Sequence, residues 1–313
     1  MPLFHRRTDE ERQRDEEQRR FQDQAQRDQQ QSVASLEAGG LPVAATRRLQ
    51  EVSSRQRLFT SDLSVDEFLL VKAAGFHPIT QVTGSSIYHV GWQRLPGQSV
   101  WYRQSEELEV VTRAWNEVRG RALGRLRQEA ALAGADAVVG VRVTFQRYDW
   151  GHDLIEFNLV GTAIRSISGP HFEEPVLSSL SGQEFWELYQ AGYMPAGIVG
   201  GSSVFYMAAT PQTQWSQSWF GSVFNQELQD FTLGLRVAQH RASTRAYDES
   251  RRLGATGIVG MRIEQEQAEY ETEINEGQKV TDMIFSAHTL GTAIAQVADR
   301  PVPATTPVVV LRK

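Results

Sequence analysis

The chain contains no cysteine. That excludes disulfides, thiolate nucleophiles and thiolate metal ligands together, and it fits a protein that never relied on an oxidising compartment. Histidine is scarce as well. The seven are His5, His77, His89, His152, His171, His240 and His288, and no two stand in an HxH or HxxxH spacing. Long apolar runs are missing: nothing approaches the roughly 18 residues of a membrane span, and Val308-Val309-Val310-Leu311 is far too short. Met1 to Arg7 carry charge with no apolar stretch behind them, so no secretory signal is read there and the cytoplasm is the expected compartment. A basic excess is absent too. The net charge of −6 argues against a phosphate-facing surface and hence against nucleic acid.

What remains is ordinary in bulk. The 313 residues are 40% apolar and 22% charged, ample for two soluble domains with their own cores. The informative feature is repetition. Leu63-Ser64 through Ser86 is echoed 117 residues later by Leu180-Ser181 through Ser203. Gly134-Ala135 and Gly140 recur at Gly254-Ala255 and Gly260, an offset of 120, and Gly161-Thr162-Ala163-Ile164 recurs at Gly291-Thr292-Ala293-Ile294, an offset of 130. A growing offset reads as two copies of one domain, the second carrying insertions. A residue with a chemical task should then survive in both copies.

Each copy opens with a helix whose ends are written plainly. Ser64-Val65-Asp66-Glu67 and Ser181-Gly182-Gln183-Glu184 are capping boxes. Gly75 and Gly192 stop the helices, with Pro78 and Pro195 three residues on. Strand-like segments follow over 79–90 and 196–207, each broken by Gly-Ser-Ser. The strongest periodic signal is a long helix in each copy. Leu108, Val111, Trp115, Val118, Ala122 and Leu126 step by three or four, as do Leu228, Phe231, Leu235, Ala238 and Ala242. A β-branched run and a returning hairpin complete each copy, the second hairpin lengthened by Glu269, Glu271, Glu273 and Glu276. Helix, strand, long helix, strand, strand predicts an α+β fold, one long helix laid across a small antiparallel sheet. So thin a sheet has exposed edges, expected to be paired between repeats or between chains.

Ahead of the repeats, residues 6–31 carry seven Arg, eight Asp or Glu and eight Gln, with Phe21 the only large apolar side chain. Such a segment cannot bury enough surface to offset its ordering entropy. A solvated polyampholyte tail, helical or disordered, is the favoured reading, with a coiled-coil or docking arm for a protein partner as the functional one.

The run Gly134-Ala135-Asp136-Ala137-Val138-Val139-Gly140 after a long helix, followed by a hairpin into Gly161-Thr162-Ala163-Ile164, resembles the YbjQ-like family, which carries a heavy-metal-binding label. The resemblance spans about 78–165 and 195–296; Thr256 and Gly257 replace Asp136 and Ala137 in the second copy. It implies a dodecin-like subunit in each copy and five-membered rings closed by edge-strand pairing. One such ring cannot be filled by whole two-domain chains, so five chains building ten positions is the favoured expectation. The expected domains are a polar tail and linker over 1–60, YbjQ-like repeats over 61–170 and 171–299, and a Pro-rich C-terminal tail over 300–313.

The candidate chemistry is thin. A zinc or copper site needs several imidazole, thiolate or carboxylate ligands converging. Across the repeat His77 becomes Met194 and His89 becomes Tyr206, so only a site in the first copy, built from His77, His89 or His152, is left as a metal candidate. Calcium lacks a spaced Asp/Asn loop. Gly197 to Ser203 lacks the lysine and helix of a P-loop and reads as a bulge or tight turn. No GxSxG elbow occurs, and no catalytic residue or cofactor is expected.

Arg121/Arg241, Arg125/Arg245 and Glu129/Glu249 are shared at i, i+4, i+8. An exposed helix laced by intrahelical pairs is the favoured reading; an anion-binding ridge or a charge network between subunits is the functional one. Trp92, Trp101, Trp215, Trp219 and Phe220 are the interface candidates, since large aromatics dominate association energetics. The expectation is a non-enzymatic, homo-oligomeric scaffold or binding protein. The alternative is a heavy-metal or small-ligand binder whose site forms on assembly.

Overall fold

The computed structural model describes residues 9–53, 59–90, 104–148, 154–169, 171–172, 174–217, 227–275 and 278–297. The chain forms two compact units, Met1–Leu58 and Phe59–Lys313. The first is a helical hairpin of α1 (Asp9–Glu37) and α2 (Val43–Ser53). Gly39 turns the chain between them with a φ of 80°. The Ser35 hydroxyl donates to the Leu41 carbonyl at 2.7 Å, and the Val43 amide donates to the Ser32 hydroxyl at 3.1 Å. The polyampholyte stretch is helical from Asp9 onward, and Phe21 on it stays exposed.

In the second unit the order is α3 (Val65–Ala73), β1 (Phe76–His89), β2 (Glu106–Glu107), α4 (Glu109–Leu132), β3 (Ala137–Tyr148) and β4 (Leu154–Ser166). A second half follows: β5 (Val176–Leu177), α5 (Gly182–Gln190), β6 (Tyr193–Met207), α6 (Pro211–Gln217), α7 (Gln229–Arg252), β7 (Gly257–Asn275) and β8 (Gln278–Gln296). The mixed α+β class is as expected. Both capping boxes form: the Glu67 amide donates to the Ser64 hydroxyl and the Ser64 amide to the Glu67 carboxylate, and Ser181 and Glu184 do the same. In α4, Trp115, Val118, Ala122 and Leu126 are fully buried; in α7 the buried face is Gly234, Ala238, Ala242 and Ala246.

The strands make two four-stranded sheets, ordered β1-β4-β3-β5 and β2-β6-β8-β7. The register shifts at Val139/Arg142 and at Val259/Arg262, where Gly140 and Gly260 take φ of 64° and 60°; these are bulges that need a left-handed residue. Gly-Ser-Ser does not break β1 or β6; both strands run through it. The glycine is there because the long helix passes against it. A β-carbon on Gly84 would stand 2.7 Å from the Leu126 amide nitrogen, and one on Gly201 would stand 2.6 Å from Arg245 Cβ. The acidic insertion of the second half also continues the ladder. Glu271 opposes Thr281 across β7 and β8, and Lys279 reaches Glu271 at 3.0 Å.

Candidate functional site

The chemistry of the described residues concentrates where the two halves of the second unit meet. β2, belonging to the first half, adds antiparallel to the outer edge of β6, Glu106 opposite Tyr206 and Glu107 opposite Phe205. The Leu108 amide donates to the Val204 carbonyl at 2.7 Å, and the Val204 amide donates to the Thr112 hydroxyl at 2.9 Å. Asn116 satisfies both backbone polar groups of one residue: its side-chain amide nitrogen donates to Ser202 O at 3.0 Å, and the Ser202 amide donates to Asn116 Oδ1 at 3.1 Å.

Charge follows the same line. Glu107 accepts from Arg245 Nη1 and Nη2 at 2.9 and 3.0 Å, from Arg241 at 2.9 Å and from the Ser203 hydroxyl at 2.5 Å. Desolvation works to raise its pKa, yet the Arg245 and Ser203 hydrogen bonds and the guanidinium charge outweigh burial and hold it below the usual carboxylate range. Arg119, with its side chain 7% exposed, forks onto Glu249 at 3.0 and 2.6 Å. Arg241, Arg245 and Glu249 therefore join the halves, whereas the expected intrahelical pairing is seen in Arg121–Glu117.

On the other side of the seam, β5 adds parallel to β3. The Val176 amide donates to Asp136 O at 3.0 Å, the Ser178 amide to Val138 O at 2.8 Å, and the Gly140 amide to Leu180 O at 2.7 Å. The Asp136 carboxylate accepts the Ser166 and Phe172 amides and lies 3.0 Å from His171 Nδ1. Burial raises its pKa, but those two amides and the imidazole draw it below the normal aspartate value. Above this ladder α5 lies against α3: Phe185 meets Phe76 edge-on at 5.2 Å, within a cluster of Val71, Ala74, Val139 and Ile164.

His288 is the unusual titratable group. It is 6% exposed, set between the rings of Trp115 (4.2 Å) and Phe145 (4.9 Å), with Nδ1 2.9 Å from the Ser202 hydroxyl and Nε2 unpartnered. Burial alone pushes its pKa down to about 4, so it is neutral at physiological pH. It borders a cleft of about 450 Å³ between the halves, which Arg119, Arg142, Glu184 and Glu264 also line. A more open groove of about 800 Å³ runs along α4 and α7.

Two of the three metal candidates, His77 and His89, do not converge. His77 and His89 are both exposed on β1, twelve residues and about 40 Å of strand apart; His152 lies outside the described residues. Among the described residues no three His, Asp or Glu stand close enough to hold an ion. Of the aromatic candidates, Trp215 lies on α6 and is 56% exposed; Trp92, Trp101, Trp219 and Phe220 lie outside the described residues. Glu107, Arg119, Asn116 and His288 were not singled out by sequence. Glu107 carried a signal, for Glu107-Leu108 recurs as Glu227-Leu228 at the offset of 120.

With this geometry in place, similarity to known proteins becomes informative. Residues 78–166 match the family described as "Putative heavy-metal-binding", YbjQ_1. Over 227 residues the chain is 38% identical to the encapsulin nanocompartment protein Rv1762c of Mycobacterium tuberculosis, covering 71% of this chain and 82% of that one. The chain belongs to that protein's family. No solved structure matches it. No helix among the described residues is long and apolar enough to cross a membrane.

Proposed function

We propose that this chain is a non-enzymatic, self-assembling scaffold made of two YbjQ-like modules in tandem, acting in the cytoplasm. The observation that carries this reading is the state of the sheet edges. Each sheet has one edge covered by a short strand from the other half, and one edge on which no described strand lies. Open edges on both sides of a folded unit are what a subunit of a larger assembly offers, since an unpaired ladder invites a further strand. The kinship with an encapsulin nanocompartment protein supports the same reading. The seam supports a structural use of the polar residues: among the described residues its carboxylates are tied into ladders and ion pairs, and no acid, base and nucleophile gather around one cavity. Five chains supplying ten module positions remains the favoured count. The helical arm α1 is the part proposed to recruit another protein.

Light scattering coupled to size exclusion tests it. A multiple of the 35.2 kDa chain mass is expected, and a single-chain mass at micromolar concentration overturns the scaffold reading. A second reading, a small-ligand binder, draws on the cleft beside the unpartnered His288 Nε2. Native mass spectrometry of the untreated protein decides it, and a mass accounted for by polypeptide alone, whatever the number of chains, removes it.

A further inference from the structure

The two bare edges match the two covered ones. Among the described residues no strand lies on the outer edge of β1, whereas that of β6 is covered by β2; none lies on the outer edge of β7, whereas that of β3 is covered by β5. At the offsets of 117 and 120, each bare edge is the counterpart of a covered one. Exposure follows suit. Ile87 on β1 is 65% exposed, whereas its counterpart Val204 on β6 is 1% exposed. Val138, Val139 and Val141 on β3 are buried, whereas Ile258, Val259 and Met261 on β7 are only half-buried. Val71, Phe76 and Ile164 lie under α5; their counterparts Leu188, Tyr193 and Ile294 are half-buried.

The counterparts of the groups that cover the other two edges are present. In the first half, Glu107 is placed for Arg245 by a bond from the Thr112 hydroxyl; in the second, Glu227 receives a bond from the Thr232 hydroxyl at 2.9 Å and is exposed. Its counterpart targets are Arg121 and Arg125. Arg125 donates to the Ser85 carbonyl as Arg245 donates to that of Ser202. Arg121 lies over the Tyr88 ring as Arg241 lies over Phe205. At the other end, Ser61 and Asp62 hold Thr162 as Ser179 holds Thr292, so residues 59–63 have the setting of the segment that carries β5. Leu69, where Trp186 stands on α5, is 57% exposed.

We infer that copies of the chain dock head to tail through the contact that joins the two halves within one chain. This rests on the two-module reading above. Glu227-Leu228 of one copy adds to the β1 edge of the next at Ile87–His89, with Glu227 reaching that copy's Arg121 and Arg125. The next copy's residues 59–63 add to β7, and its α3 lies over Leu188, Tyr193 and Ile294. The contact is heterologous, so every chain keeps one donor and one acceptor surface; the rotation per step sets whether a ring closes. It is not a perfect copy of the seam, because Arg236 and Gln239 stand where Asn116 and Arg119 would.

The test uses one variant per surface in the full chain: Ile87→Lys on the acceptor and Glu227→Arg on the donor, both at exposed positions. Each alone is expected to run at the mass of one chain. An equimolar mixture is expected to form a 1:1 pair that grows no further, because one intact surface of each kind remains. If the wild type assembles and either variant keeps the wild-type mass, or settles as a homodimer, head-to-tail docking is overturned while the scaffold reading stands. A monomeric wild type overturns the scaffold reading itself. Should Ile87→Lys lose its circular dichroism, Leu69→Lys on α3 takes its place with the same expected outcomes.

Discussion

His288 ties one side chain to the stability of the whole seam. Its imidazole is neutral between Trp115 and Phe145, with Glu264 opposite it on β7 and Arg119 nearby in the cleft lining. The folded pKa is about 4 against an ordinary value of 6.5. Between those values the unfolded chain takes up a proton that the folded chain refuses, so stability falls as pH is lowered through that window. The full loss at its acid end is roughly 3 kcal/mol, of which about 2 kcal/mol falls between pH 6.5 and 5. Glu107, Asp136 and Asp230 have depressed pKa values. Their contribution is present above the unfolded carboxylate value near 4 and is lost only as pH drops further. Urea unfolding at pH 6.5 and 5 therefore isolates the imidazole. His288→Asn, the residue found at the matching position Asn158, is expected to flatten that slope, and an unchanged slope would mean His288 is not its source.

Among the elements, those with a period or a cap were readable and those fixed by a partner were not. The α3 and α5 caps, the buried stripe of α4 and the β-branched start of β3 follow from local rules, and each forms where the residues say. β2 and β5 are two residues long and carry no alternation; only the β6 and β3 edges make them strands. The favoured intrahelical reading of Arg241, Arg245 and Glu249 missed the seam for the same reason, since their partners Glu107 and Arg119 lie more than a hundred residues away. Gly84 and Gly201 were legible as punctuation but carried the opposite meaning: close approach, with no break in the strand. Gly201→Ala tests that meaning. Its β-carbon would press on the α7 backbone and Arg245 Cβ, and such overpacking costs about 1–3 kcal/mol. A matching drop in the urea midpoint with unchanged m-value is expected; a neutral result would show that α7 does not rest on β6 there.

At the scale of the molecule, the surfaces proposed for assembly all belong to the second unit: the β1 and β7 edges, α3, and Glu227-Leu228. The polar segment ahead of them forms its own helical hairpin, in which α1 presents Phe21 as an isolated exposed ring with no apolar seam around it. A helix polar on every side gains little by packing against another copy. Removing residues 1–31 should therefore leave the number of protomers unchanged in light scattering, with the mass falling only by the deleted segment of each chain. Loss of the assembly on that deletion would place a contact in α1 and assign the arm to construction; an unchanged protomer count leaves it free for recruitment, the role proposed for it.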